Sequence, residues 1–238
     1  MNEEPVITLW GWNKEDEALP PPNITLNRSR QTYKNVSVIG PHHSELEKWL
    51  SDPEFPELKL TFDNVREKYH WVVATDLVRL VALYNLGGLY LDLDCFIDPD
   101  LPDHLSCNTC VFRECVLSDV RQLGRRECKD PCRRVRIANF AIYSRHKKSE
   151  FLRACIVLAL QRLNHLLFGE KLSKLSREDI LWACGPDLVT SVYHERTSQL
   201  GQVCLLPAQL VGHVAAQSWA TGELSCKNRG SRLRSRQR

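Results

Sequence analysis

Two aspartates, Asp92 and Asp94, stand one residue apart in the run Leu89-Tyr-Leu-Asp-Leu-Asp94. On an extended chain alternate side chains share a face. Tyr90, Asp92 and Asp94 therefore point one way, and Leu89, Leu91 and Leu93 the other. Two neighbouring carboxylates repel unless a cation or hydrogen-bond donors lie between them. A hard divalent cation takes oxygen ligands and, as Mn²⁺ or Mg²⁺, keeps positions open for phosphate oxygens. The spacing reads as a clamp for a metal ion and a diphosphate at a strand end. A bare Asp-x-Asp is common, however, and Asp98-Pro-Asp100 is a decoy: its proline breaks the strand and makes a turn.

The elements that must position the pair are legible around it. Val72 to Leu86 contains no Gly or Pro, and Leu77, Leu80, Val81 and Tyr84 recur at helical spacing. Gly87 and Gly88 supply the left-handed backbone that ends a helix, so the chain can reverse at once into a strand, Leu89 to Leu93. Asp76 and Arg79, at i and i+3, lie on one side of the helix. They could be an ordinary surface ion pair, but their polar side sits in an otherwise apolar helix that leads to the carboxylate strand.

The combination Thr75-Asp-Leu-Val-Arg79 followed by Tyr84-Asn-Leu-Gly-Gly-Leu-Tyr-Leu-Asp-Leu-Asp94 resembles the DXD-motif sugar transferases of glycosyltransferase family 32. Their relatives include α-1,4-galactosyltransferases and the glucosylating domain of large clostridial toxins. The resemblance implies a GT-A type fold: an α/β, Rossmann-like, mostly parallel sheet with helices on both sides. It also implies retaining transfer of a hexose from a nucleotide-diphosphate sugar, UDP before GDP, to a glycan, glycolipid or protein acceptor. In that scheme Asp94 holds the metal, Asp92 touches the ribose and the metal shell, and Asp76 and Arg79 fix sugar hydroxyls, with Tyr90 at the donor.

The same resemblance extends thinly along the chain. Trp10, at the end of the apolar run Val6 to Trp10, matches an aromatic near the base, and is equally readable as core. Asn139, in the strand Ile137 to Tyr143, matches an Asn at the donor sugar or is a structural amide. Gly185-Pro-Asp-Leu-Val-Thr190 matches a loop that opens a helix on the acceptor side, with Pro186 in the first turn and Asp187 as the candidate. Gly212-His213 and Ser218-Trp219 match a segment that folds over the diphosphate. It places His213 on metal or phosphate, and Ser218 and Trp219 on the donor.

Elsewhere, Val36 to Ile39 reads as a second strand and Ser44 to Leu50 as a helix, with Ser44 and Glu47 as a capping box. Strand, helix and strand in this order argue for a parallel α/β sheet. Glu150 to Leu167 reads as a packing helix.

At 238 residues the chain suits one substantial core, and we expect a single domain over residues 1–222. Six cations in the last twelve residues, from Lys227 to Arg238, carry the positive balance; without them the formal charge passes from +3 to −3. Residues 223–238 are expected to be a disordered basic tail, suited to an anionic membrane surface, and no specific nucleic-acid site is indicated. No apolar run reaches the length of a membrane span, and no signal-peptide core precedes Pro5. As written the chain reads as cytoplasmic; Golgi relatives carry an N-terminal anchor, which would place it in the lumen.

Ten cysteines is many for a cytosolic enzyme. Five fall in a stretch read as an insert over about 101–136. Cys107, Cys110, Cys128 and Cys132 could hold a structural Zn²⁺, the cysteines could pair as disulfides, or they could be free thiols. Two rival functions follow. A haloacid-dehalogenase-like phosphatase also ends an apolar strand in Asp-x-Asp, but in its first strand. A zinc-organised interaction module would place metal on the cysteines and none on Asp94.

Overall fold

The computed structural model describes residues 7–10, 36–39, 44–67, 71–92, 95–98, 100–116, 135–168, 175–196, 200 and 202–213. The chain divides into two compact units, Met1–Lys59 and Leu60–Arg238. In the first, strands β1 (Ile7–Trp10) and β2 (Val36–Ile39) run parallel, Ile7 opposite Val36 and Trp10 opposite Ile39. Helix α1 (Ser44–Leu50) buries Leu46, Trp49 and Leu50. The expected capping box does not form there. Ser44 is already helical, and Glu47 is drawn to Lys59, whose Nζ lies 3.2 Å from Oε2.

The second unit is built on a helix that is buried on nearly every side. Helix α2 (Leu58–Glu67) leads to helix α3 (Trp71–Leu86). Within α3 apolar Leu77, Leu80, Val81 and Tyr84 are all buried, and so are Asp76 and Arg79. A helix apolar around most of its circumference belongs in a core. Gly87 and Gly88 take φ of +69° and +89°, the left-handed turn expected of them. Gly87 is required twice over, because a Cβ there would also come within 3.3 Å of the backbone of Ser144 and His146.

The chain then forms β3 (Gly88–Leu91), β4 (Cys95–Ile97), the short helix α4 (Leu101–His104), β5 (Thr109–Val116) and β6 (Val135–Ser144). Helices α5 (Glu150–Phe168), α6 (Arg177–Ala183) and α7 (Pro186–Arg196) follow, then β7 (Val203–Leu206) and β8 (Val211–His213). The main sheet has the order β3-β6-β5-β7, and β4 pairs with β8 in a separate ladder. Helices α3 and α7 pack on β6, and α5 packs on α3.

The α/β class is as expected, but the described sheet is mixed rather than mostly parallel. β5 and β7 run parallel, whereas β3–β6, β5–β6 and β4–β8 are antiparallel. β5 lies between β6 and β7 in the sheet and pairs antiparallel with β6. Residues 109–116, read as part of a cysteine-rich insert, are therefore an inner strand. Cys110 is fully buried with Val111 and Phe112, packing as the small hydrophobe that a free cysteine resembles. Cys110, Phe112, Ala138, Phe140, Leu206 and Leu210 form a core against which Leu89 and Leu91 pack. The leucine face of β3 is thus turned inward as the alternation requires.

Cys107 is bonded to Cys204, with Cα atoms 5.9 Å apart. This removes Cys107 from the proposed zinc set, since a disulfide sulfur is not a thiolate ligand. Cys110 is a free buried thiol, and Cys128 and Cys132 lie outside the described residues. Among the described residues no helix is long and apolar enough to cross a membrane.

Candidate active site

Helix α3, the glycine reversal and β3 bring a helix pair and a strand-end carboxylate onto one guanidinium. Arg79 is 6% exposed. Its Nη2 lies 2.8 Å from Asp76 Oδ1 and 3.4 Å from Asp92 Oδ1, and its Nη1 donates to the Asn139 carbonyl at 2.6 Å. The guanidinium carbon stands 4.9 Å from the centre of the Tyr90 ring, within cation–π range. Arg79 Nε, also buried, has no hydrogen-bond partner among the described residues.

The partners of Arg79 are themselves cross-linked. Asn139 Nδ2 donates to Asp76 Oδ1 at 3.1 Å, and the Tyr90 hydroxyl donates to Asp92 Oδ1 at 2.7 Å. Asp92 N donates to the Phe140 carbonyl at 2.9 Å, which continues the β3–β6 pairing one residue past the strand. Cys184, between α6 and α7, places its Sγ 3.7 Å from Asp76 Oδ2.

Burial decides the electrostatics. Desolvation pushes Asp76 up to about 6, although Arg79 beside it acts to lower it. Burial works against the charge on Arg79, but Asp76, then Tyr90 and Asp92, hold it above its ordinary value. Burial likewise raises the Tyr90 phenol well beyond its usual range, so it remains a donor to Asp92. The site is one fixed cation between two carboxylates, with Asn139 and Tyr90 donating to the same Oδ1 atoms that face the cation.

Five of the residues singled out from sequence are therefore together: Asp76, Arg79, Tyr90, Asp92 and Asn139. Asp94, Ser218 and Trp219 lie outside the described residues. His213 is placed by its backbone alone, in register with Cys95, the residue that follows Asp94. Trp10 ends β1 in the other unit, and its side chain is outside the described residues. Asp187 follows Pro186 in the first turn of α7 as expected. Its carboxylate is only 5% exposed and lies 3.2 Å from Arg136 Nε, which is also 3.1 Å from Glu114 Oε2. The side chain taken for the acceptor side thus faces a buried ion cluster on β6.

Sequence reasoning missed that cluster, Cys184 and Thr190. Thr190 Oγ1 accepts from Ile137 N at 2.9 Å and donates to the Pro186 carbonyl at 2.7 Å, tying α7 to β6. A charged Arg136 in an apolar strand was the available signal, since a buried cation needs an acid. Gly185 signalled the tight turn that carries Cys184, because a Cβ there would lie 2.9 Å from Leu181 Cα.

A divalent cation suits the chemistry of the carboxylate end. Asp92 offers hard oxygen, 29% of its side chain is exposed, and Tyr90 and Arg79 fix the oxygen Oδ1. Among the described residues no group of three or more His, Cys, Asp or Glu is arranged to hold a metal ion. Asp92 would thus need Asp94 or His213 to complete a set.

Comparisons with known proteins bear on these residues. A comparison with curated proteins gives no match. The solved structure titled "PaToxG Glycosyltransferase" is 18% identical, with a TM-score of 0.46 over 73% of this chain and 52% of that one. The chain thus spans about half the length of that structure. The family model described as "Glycosyltransferase sugar-binding region containing DXD motif" matches residues 22–112, which include Asp76, Arg79, Tyr90, Asp92 and Asp94. Over residues 22–112 the chain is similar to the sugar-binding region of the DXD-motif glycosyltransferases.

Proposed function

We propose that this protein is a GT-A type, metal-dependent glycosyltransferase. It moves a hexose with retention from a nucleoside-diphosphate sugar, a UDP-sugar before a GDP-sugar, to a glycan, lipid or protein. The observation that carries this reading is the convergence of Asp76, Asn139 and Asp92 on the buried Arg79. A buried cation tied to two acids at the end of a sheet strand is a costly arrangement for stability alone. Ligands of α/β sheets bind outside such strand ends.

In this reading Asp76 and the Arg79 Nε–H hold hydroxyls of the donor sugar, with Asn139 beside them. Asp92 lies at the ribose, while Asp94 and His213 hold Mn²⁺ or Mg²⁺. Ser218 and Trp219 contact the diphosphate. A bound divalent cation would supply a Lewis acid that offsets the charge growing on the leaving diphosphate. Tyr90 keeps Asp92 oriented, and Arg79 remains cationic throughout. Residues 1–222 act as one transferase domain, and the basic residues 223–238 meet an anionic surface. The Cys107–Cys204 bond supports an oxidising compartment such as the Golgi lumen over the cytoplasm.

The test is a panel of UDP- and GDP-sugars with Mn²⁺, scored for donor hydrolysis without an acceptor, on wild type and Asp94→Asn. Hydrolysis of one donor that needs the metal and is lost in a folded Asp94→Asn supports the reading. No hydrolysis of any donor, or a fully active Asp94→Asn, overturns it.

A further inference from the structure

We propose that Cys184 is a positioning residue: its thiol donates to Asp76 Oδ2 and holds that carboxylate in the orientation the donor requires. The proposal rests on the transferase reading for the role of Asp76, and on geometry for the contact itself. Asp76 uses one oxygen for charged and amide partners: Oδ1 meets Arg79 Nη2 at 2.8 Å and Asn139 Nδ2 at 3.1 Å. Both pull on the same atom, and both could be satisfied with the carboxylate plane rotated about that atom. The second oxygen sets the rotation, and Cys184 Sγ lies 3.7 Å from it.

The thiol has one proton and three acceptors within reach. Sγ is 3.7 Å from Asp76 Oδ2 and 3.8 Å from the carbonyls of Val73 and Ile180. The Ile180 carbonyl already accepts from Cys184 N at 3.3 Å and Gly185 N at 3.2 Å. Val73 lies four residues ahead of Leu77 within α3, so its carbonyl is in line for the ladder of the helix. The carboxylate is the charged acceptor, and charge-assisted bonds are the stronger ones. Burial raises the Cys184 thiol well above its ordinary range, so the proton stays on sulfur.

The backbone around the thiol leaves it little freedom. Cys184 follows α6 directly, and Gly185 lets the chain pass Leu181 at a distance no side chain would allow. Pro186 then starts α7, which Thr190 ties to β6. Cys184 is fully buried at 1% exposure. The sulfur is therefore delivered to α3 by a rigid corner, which is what a positioning contact needs.

Two substitutions separate hydrogen bonding from packing. Cys184→Val removes the donor without opening a cavity, valine being somewhat larger than cysteine, whereas Cys184→Ser loses volume and keeps a donor. We expect Cys184→Val to lower kcat/KM for the nucleotide sugar about tenfold, and Cys184→Ser to retain most of it, the span expected for one hydrogen bond to a charged group. The reverse order, with Val active and Ser impaired, would overturn the proposal and leave a packing role. A second readout is independent of turnover. The carboxylate stretching band of Asp76, taken as the infrared difference between each protein and its Asp76→Asn form, should shift in Cys184→Val and stay in place in Cys184→Ser. An unshifted band in Cys184→Val overturns the proposal whether or not any donor is used. A wild type that hydrolyses no donor defeats the transferase reading alone, and the infrared comparison then decides whether Cys184 orients Asp76.

Discussion

The Tyr90 hydroxyl donates to Asp92 Oδ1 at 2.7 Å while Arg79 approaches the same oxygen to 3.4 Å. The first aspartate of the strand-end pair therefore enters the site with one oxygen already engaged and its direction set. Tyr90→Phe removes the hydroxyl and keeps the ring beneath Arg79. We expect it to lower kcat/KM about tenfold while costing about 1 kcal/mol of stability, since Asp92 is partly exposed and water can replace the donor. Steady-state kinetics and urea unfolding measure the two; unchanged turnover would show that the orientation of Asp92 does not matter.

Arg79→Ala should unfold the protein more easily as well as abolish donor use. A reading of Asp76 and Arg79 from spacing alone expects stability to be nearly untouched. Their side chains are only 5% and 7% exposed, however, and removing the cation leaves Asp76 buried without its counter-ion. Breaking such a pair costs about 3–5 kcal/mol. Urea titration of the variant tests this, and a loss of less than about 1 kcal/mol, as for an exposed pair, would contradict it.

The pH dependence of stability has a sign that follows from Asp76. Its carboxyl titrates at about 6 in the folded chain against a reference value of 3.8. A raised value means that the folded state binds the proton more tightly than the unfolded state. The contribution of this group is then fully present below 3.8 and is lost as pH rises through about 6. Asp76→Asn should remove that fall, so the difference in stability between variant and wild type grows in favour of the variant across the window. Unfolding midpoints from acid to neutral pH measure it; parallel curves would show that Asp76 does not titrate there.

Cys107→Ser should destabilise the protein in oxidising buffer and change little once wild type is reduced. The bond closes a loop with a sequence separation of 97, and loops of that order contribute about 4–5 kcal/mol in the chain-entropy model. Thermal melts of both proteins with and without reductant are the check. Equal melting of variant and wild type in oxidising buffer would show that the bond does not hold the fold.

The central helix, the glycine reversal and the inward leucines of β3 were legible because each depends on short-range signals, namely helical spacing, left-handed glycine and strand alternation. Asn139 and Asp76 were each singled out, but the hydrogen bond between them was not legible, since it joins residues 63 positions apart. Cys184 and Asp76 are 108 apart, and nothing local marks the thiol. The cysteines of β5 were weighed as ligands, whereas Cys110 packs as core. Ser44 and Glu47 had the spacing of a capping box, but tertiary placement gave Glu47 to Lys59. The capping box that forms joins Ser176 and Asp179 ahead of α6.

The β4–β8 ladder has a consequence for the order in which the site assembles. Cys95, beside the Asp-x-Asp pair, hydrogen-bonds into a ladder with His213, the last residue of the described chain. Pairings between such distant segments form late, because loop closure must be met before the contact contributes. A nascent chain can therefore complete α3, β3 and the Arg79 cluster's helix partners before it has synthesised the strand that pairs with β4. During synthesis β4 therefore stands without its ladder partner until β8 arrives.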